Sequence, residues 1–524
     1  MLFYFLIICC FFVRALPRLK LKNALVSDTY FHLYCANVIR ENSFRLPERL
    51  PRVMLNHAYS YPFLYHYLLA LFPLRYRLWT ERLTGAVFDT VSLILIYFFT
   101  LWTSGEGKDP FFRNLPIMVC ALFAFSPALL RIGSGPRAYN GNPRVIGQTL
   151  YLLHLLAGYY SFQTRSVVGL GVSLLAGAAL LITSKFGTQV IFLFGIWFAV
   201  MASHYYFFLL AGCILLAMAL TKGRVWKVIH GHMRHSIFYW RHLQTVFLFP
   251  HIRTARKYLR SGLSIAWRAI RFFRFSTAFR DAFQWYYSEP YFLHLLITVY
   301  PQFVMIFPYI GQYTKLDSLD RFLVIWMGAG FFWFLLTKLR PFLFMGEGER
   351  YLEYSLFPSL FMVVKFLPTR LESFLTAFLI YSILSAAFFM WQYIEGYRKI
   401  DRDYKETESL FSELNRSPEG VIMPVGSFHY QVLYRSHLPV LTHGANIDER
   451  LLPYKEFELV YGNYPYPSRC FREILCRYHV SYIVSDPISL KYFREEILKE
   501  PDEFDRSVRI LWCLPTLVIG KVIQ

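Results

Sequence analysis

Val87-Phe88-Asp89-Thr90-Val91-Ser92-Leu93-Ile94-Leu95-Ile96-Tyr97-Phe98-Phe99 is an apolar run with one carboxylate in it. A helix needs roughly 17–25 mostly apolar residues to cross about 30 Å of hydrocarbon, and residues 84–103 around this run meet that need. Similar stretches lie near 1–16, 115–132, 147–163, 167–183, 187–201, 204–221, 290–310, 319–337, 351–367 and 371–394. With 56% hydrophobic and 19% aromatic residues among 524, and a mean hydropathy of +0.35, the chain carries more apolar surface than a water-soluble fold of this length can bury. The expected class is mainly α: a polytopic transmembrane helical bundle of about 11–13 spans, from residue 1 to 396.

The first stretch, Met1 to Val13, lacks the basic leader and the small-residue cleavage site of a signal peptide, and is read as a retained helix. Eight cysteines are scattered with none in a Cys-x-x-Cys pair, so neither a zinc site nor a disulfide framework is indicated. After about Tyr397 the patterning becomes that of a soluble α/β domain, 397–524. A helix is expected near 404–414, strands at Gly420–Val425 and Tyr482–Asp486, a helix near 468–478, and two closing strands near 508–523.

The net charge of +21 is concentrated. Between Lys222 and Arg280 stand 13 Lys and Arg and no Asp or Glu, interleaved with Trp226, Trp240, Trp267 and several Phe. Such a stretch reads as an interfacial amphipathic loop, 222–289, with its aromatic side in the headgroups and its cations on anionic lipid. Nucleic acid is not expected as a partner, because no binding motif accompanies the charge. Seven of the spans precede Lys222, which puts this loop on the same side as the first loop, 17–83. Excess Lys and Arg ordinarily mark the cytoplasmic side, a rule that weakens for loops beyond about 60 residues.

The first loop opens with Ser27-Asp28-Thr29-Tyr30-Phe31-His32. At i and i+4, Asp28 and His32 share a helical face, so the imidazole can orient the carboxylate; Ser27 and Asp28 also suit a simple helix cap. The span count brings three more polar clusters to this side: Arg137 to Arg144, Ser184-Lys185-Phe186-Gly187, and Glu347-Gly348-Glu349-Arg350-Tyr351-Leu352-Glu353-Tyr354. Paired arginines such as Arg137 and Arg144 suit a phosphate, since guanidinium forks bind it bidentately and stay charged. Glu347, Glu349 and Arg350 can equally neutralise one another. Asp89 is read first as a structural ion pair, with Arg82 or His66 as partner, and second as a proton-handling group.

An acid followed by aromatics and His in the first external loop, then Tyr61-Pro62-Phe63-Leu64-Tyr65-His66, then many spans and a terminal soluble domain, resembles the GT-C superfamily of membrane glycosyltransferases. That superfamily includes protein O-mannosyltransferases, aminoarabinose transferases and the catalytic subunit of oligosaccharyltransferase. The resemblance implies transfer of a hexosyl or pentosyl group from a polyprenyl-phosphate-linked donor to a glycan, lipid or protein acceptor. It also implies inversion at the anomeric carbon, a cell-membrane location and a site on the external (periplasmic or lumenal) face. Asp28 becomes the catalytic acid of the first loop. His32, His57, Tyr61, His66, Arg137, Arg144, Lys185, Glu347, Glu349 and Arg350 become candidates for substrate binding. There is no Trp-Trp-Asp-Tyr-Gly segment, so recognition of a peptide sequon is not implied. Asp28 also lacks a second acid, and a divalent metal prefers several oxygen ligands; a metal-independent site without cofactor is expected, a divalent metal being the less favoured option. Two other readings stand beside this one: a lipid or solute transporter or flippase, compatible with charges inside spans, and a non-catalytic scaffold of the same fold.

Overall fold

The structure is a computed structural model that describes residues 1–104, 110–131, 137–248, 255–272, 281–282, 285–286, 291–310, 316–366, 372–417, 419–498 and 501–523. Parts of the expected loop 222–289 therefore fall outside the described residues, whereas the cluster from Arg137 to Arg144 lies within them.

Helices stand on all the expected spans. Leu2–Lys20, Leu74–Ser104, Ser318–Leu336 and Ser373–Arg402 are each long and apolar enough to cross a membrane alone. Tyr205–Leu220 with Arg224–Leu243 passes the same test as a pair bent by 118°. Val167–Leu181, Lys185–Met201 and Leu356–Phe366 are shorter apolar helices. Local chemistry explains several of the interruptions. The 290–310 stretch is cut into Phe292–Thr298 and Pro301–Ile310 at a proline, which starts a helix well and continues one badly. The chain is a multi-pass membrane protein.

The chain forms two compact units: one of Met1–Pro17, Leu83–Gly223 and Leu243–Tyr393, the other of Arg18–Arg82, Arg224–His242 and Ile394–Gln524. The first unit is helical, and a buried ion cluster lies within it. Asp89, wholly buried, accepts from Arg14 Nε at 2.5 Å and from Arg137 Nη1 and Nη2 at 2.8 and 2.6 Å. Arg14 also donates to the Cys10 and Ala124 carbonyls, at 3.2 and 2.8 Å. Arg82 and His66, the partners expected for Asp89, do not pair with it; its cations come from the first helix and from the turn before the Pro143–Thr164 helix. The Leu74–Ser104 helix turns Asp89 and Gly85 toward these neighbours, four residues apart on one face. A Cβ at Gly85 would run into the Ala138 carbonyl oxygen, so only glycine admits the turn that carries Arg137.

The second unit holds a four-stranded sheet, β1 (Val421–Pro424), β2 (Val480–Ser485), β3 (Val508–Cys513) and β4 (Val518–Val522), in the order β1-β2-β4-β3. β1 and β2 are parallel; β4 is antiparallel to both β2 and β3. β2 is buried at every position but Ser481, as a central strand covered on both faces should be. Beyond β1 the ladder continues: Leu441 N–H donates to the Ile422 carbonyl, and Met54 N–H to the Val440 carbonyl, at 2.8 and 3.1 Å. The first loop is thus stitched into the C-terminal sheet. Arg435 seals the join, donating to Tyr30 Oη at 2.8 Å and pairing with Glu408 at 2.7 Å.

Replacing Asp89 by Ala strands Arg14 and Arg137 as buried cations and is expected to cost about 3–5 kcal/mol. Thermal unfolding in detergent measures it. The triple variant Arg14→Met, Asp89→Leu, Arg137→Met, which removes the charges together, is expected to recover most of the loss.

Candidate active site

Within the first unit, three polar segments meet. The Pro143–Thr164 helix starts after Asn142, whose side chain accepts from Arg144 N–H at 2.9 Å, with Pro143 in the first helical position. This start places Arg144 and Gln148 one turn apart on the same face. Gln148 Nε2 donates to Glu353 Oε2 at 2.6 Å, Arg144 Nε lies 3.7 Å from the same oxygen, and Arg137 donates to Gln148. Glu353 belongs to the short helix Glu349–Tyr354, so the buried network runs from Asp89 through Arg137 and Gln148 to that helix.

The Lys185–Met201 helix joins from a third side. Ser184 caps it, accepting from Gly187 N–H at 3.2 Å, which sets Lys185 at its first position. Phe186 next to it packs on Tyr351 and Tyr354, with ring centroids 4.7 and 5.9 Å apart, and the Arg350 guanidinium lies 5.8 Å from the Phe186 ring. Gly147 permits the approach, since a Cβ there would stand 3.1 Å from Tyr354 Oη and 3.2 Å from Ser184 Cβ. Arg144, Lys185 and Arg350, far apart in sequence, are therefore drawn toward one region of this unit. Arg350 pairs with Glu347 at 3.0 Å, both part-exposed. Glu349 does not join that pair: Lys338 Nζ is 3.3 Å and Arg131 Nη1 3.9 Å from its carboxylate. Burial opposes its charge, yet Lys338 and Arg131 hold its carboxyl down to about 2.

Within the second unit, Asp28 is exposed in the first turn of the helix Ser27–Glu41, where a carboxylate complements the helix dipole. Ser27 Oγ donates to the Ser427 carbonyl at 3.1 Å, fixing this turn beside the loop after β1. The Tyr464 phenol is pushed up to about 12 by burial and then by the negative charge of Asp28; Tyr430 is raised by burial, with Tyr464 and Asp28 adding to the effect.

His32 does not simply serve Asp28. Its Nδ1 lies 2.8 Å from His66 Nε2, and His66 Nδ1 lies 2.6 Å from Tyr59 Oη, forming a buried chain of three. Each joint holds one proton under either set of tautomers. Phe31, Tyr61 and Tyr65 box the pair, with Tyr61 stacked on His66 at 5.4 Å. Burial, and then His32, lower the His66 pKa well below its ordinary value, so the chain is built to stay neutral. His57 sits outside this box, in a hairpin where its carbonyl accepts from Leu50 N–H at 2.7 Å.

Sequence reading points to none of Arg14, Tyr59 and Gln148, and to Glu353 only as a member of the 347–354 cluster. Gln148 was signalled by its i, i+4 spacing from Arg144, and Arg14 by its position at the end of an apolar run. Nothing in the sequence pairs Tyr59 with His66. Among the described residues, no three His, Cys, Asp or Glu side chains gather as a metal site.

No family model matches the sequence, and no curated protein matches it. Solved structures do. The oligosaccharyltransferase of Archaeoglobus fulgidus, in complex with Zn and sulfate, aligns over 97% of this chain and 71% of its own, with a TM-score of 0.58 at 10% identity. ArnT of Cupriavidus metallidurans, bound to undecaprenyl phosphate, aligns over 100% of this chain and 97% of its own, with a TM-score of 0.52 at 11% identity. The fold is the GT-C fold. A further structure of the Archaeoglobus enzyme, AglB in complex with an inhibitory peptide and a dolichol-phosphate, aligns over 96% of this chain and 72% of its own, with a TM-score of 0.54 at 11% identity. At such identities the GT-C likeness is one of backbone, and the chemistry has to be read from this chain's own side chains.

The His66 environment sets a pH dependence. Its folded pKa lies below the unfolded value of about 6.5, so the unfolded chain binds the extra proton and stability falls as pH drops below about 6.5. His429, lowered to about 4 by burial and by His443, adds to the same loss between those limits. Thermal unfolding scanned from neutral pH to pH 4 is expected to show it, with a shallower slope in His66→Gln.

Proposed function

We propose that this protein is a membrane glycosyltransferase that takes a sugar from a polyprenyl-phosphate-linked donor and passes it, with inversion, to a glycan, lipid or protein acceptor. The observation that carries the proposal is the backbone likeness along the whole chain to two transferases, one captured with undecaprenyl phosphate and another with dolichol-phosphate. The gathering of Arg144, Lys185 and Arg350 in the first unit supports it independently, because a departing lipid phosphate needs preorganised cations.

In this reading Asp28 is the general base. It accepts the proton of the acceptor hydroxyl as that oxygen attacks the anomeric carbon from the face opposite the phosphate. The bond between the anomeric carbon and the phosphate oxygen breaks, and its electron pair leaves on the lipid phosphate. Arg144 and Arg350 bear the charge that gathers there, with Lys185 as a third cation. Glu353 and Gln148 fix the arginine fork, and Arg137, committed to Asp89 and Gln148, acts as a positioning residue rather than a ligand. Glu347 sets the pose of Arg350. His32, His66 and Tyr61 hold the helix that bears Asp28, and His57 remains a candidate acceptor contact. The reaction needs no metal, and the site faces the external side of a cell membrane.

Transfer from a labelled polyprenyl-phosphate sugar by the purified protein tests the proposal. Asp28→Asn is expected to lower the transfer rate about 10²–10⁴-fold while leaving the unfolding temperature unchanged. Undiminished transfer by that variant refutes Asp28 as base, and absence of transfer by the wild type with any lipid-phosphate sugar refutes the enzyme. Arg144→Ala and Arg350→Gln are each expected to cost about 10–100-fold in kcat/KM, and chelation by EDTA to change nothing.

A further inference from the structure

In the second unit, aromatic surface that no core requires stands close to the turn of Asp28. Tyr466 and Tyr492 lie with ring centroids 5.0 Å apart, inclined at 44°; Tyr466 is half-buried and Tyr492 is 47% exposed. The helix Pro487–Tyr492 presents Tyr492, and Ile488, one turn before it on the same face, is 82% exposed. Asp486 starts that helix by accepting from Ser489 N–H at 2.8 Å. Tyr466 comes from a turn in which its N–H donates to the Asn463 carbonyl at 3.0 Å.

The loop after β1 joins this ring pair to Asp28. Gly426, at a φ of +79°, passes so close that a Cβ there would stand 2.8 Å from Ser489 Oγ and 3.7 Å from Tyr466 Cε1. The next residue, Ser427, is exposed, and its carbonyl is the one that accepts from Ser27 Oγ at 3.1 Å. Three residues further, the Tyr430 ring packs on Phe31 at 4.9 Å, and Phe31 stands one helical turn past Asp28. The carboxylate, the hydroxyls of Ser427 and Ser489 and the two outer rings thus belong to one neighbourhood.

Of the ligands that use such a surface, two do not fit. Hydrocarbon or an anionic headgroup would meet Lys491, Glu495 and Glu496, charges of both signs exposed around Tyr492. An extended peptide gains affinity by adding to a strand edge, and the outer edge of β1 is taken: Ile422 N–H donates to the Pro439 carbonyl and the Ile422 carbonyl accepts from Leu441 N–H, at 2.9 and 2.8 Å. A sugar ring does fit, because its C–H face covers an aromatic ring while its hydroxyl edge bonds to serine and carboxylate oxygens.

We propose that Tyr466 and Tyr492 form a saccharide subsite, so that the acceptor is a glycan whose outlying sugar stacks on these rings while its reacting hydroxyl reaches Asp28. The proposal rests on the reading of Asp28 as the general base. Stacking is the same in the ground state and the transition state, so the subsite supplies acceptor affinity and alignment and leaves the chemical step itself to Asp28 and the cations.

Saturation-transfer NMR on the full chain in detergent tests the subsite by binding alone, with cellotriose, maltotriose, chitotriose and mannotriose as probes. Saturation of at least one trisaccharide is expected, strongest at the C–H protons of one sugar. Tyr492→Ala, which removes an exposed ring and leaves the unfolding temperature unchanged, is expected to weaken that binding about 3–10-fold. Tyr492→Phe is expected to retain it, because the ring and not the hydroxyl makes the contact, and Asp28→Asn to bind as the wild type does. Absence of saturation with all four probes, or binding that Tyr492→Ala leaves intact, overturns the subsite while leaving Asp28 as base untouched. Undiminished sugar transfer by Asp28→Asn instead overturns the reading on which the proposal rests, and it is measured in a separate assay.

Discussion

A carboxylate sealed from water inside a helical membrane unit persists only if cations reach it, and Asp89 is reached by two. Its partners come from the first helix and from the turn before the Pro143–Thr164 helix, so one anion ties together three parts of the chain that are distant in sequence. The tie also orients the polar groups next to it. With both terminal nitrogens on Asp89, Arg137 presents its Nε–H to Gln148, and Gln148 then positions Glu353 beside Arg144. A buried ion pair is weak evidence for stability in itself, since its desolvation cost offsets much of its attraction. Its value here is geometric: it fixes the rotation of helices whose apolar faces would pack nearly as well in other orientations.

The second unit solves a different problem. A short parallel pair, β1 and β2, is too small to stand alone, and it gains a neighbour from the first loop through Val440 and Met54. The exchange anchors the helix that bears Asp28. Tyr30 meets Arg435 and Ser27 meets Ser427, so the turn carrying the exposed carboxylate is gripped from the C-terminal side of the chain. The same helix is gripped from its other side by the His32–His66–Tyr59 chain.

Much of this was legible in the sequence because hydrocarbon length and strand periodicity are local signals. Leu74–Ser104, Ser318–Leu336 and the strands at Val421 and Val508–Val522 follow from such patterns. The start of the Pro143–Thr164 helix was signalled by Asn142-Pro143. Long-range partner choice was not legible. Asp89 reads equally well against Arg82 or His66, since sequence spacing ranks neighbours only within a helix. Likewise nothing local says that residues 52–55 would lengthen a sheet whose first strand begins at Val421. Of the candidate site, residue types were readable, because phosphate chemistry requires cations; which arginine is committed to a carboxylate depends on helix rotation and is not.

The stitching of the first loop into the C-terminal sheet also constrains when the protein can finish folding. Ser60 accepts from Asn446, 386 positions later. At about 5–20 residues per second, the ribosome needs roughly 20–80 s to supply that partner. Throughout this interval the edge around Val53 has no strand to pair with, while helix after helix enters the bilayer. An unpaired edge of this kind is a ready template for misassociation, so the folding of the second unit waits for the synthesis of residues 440–446 rather than for the insertion of the spans.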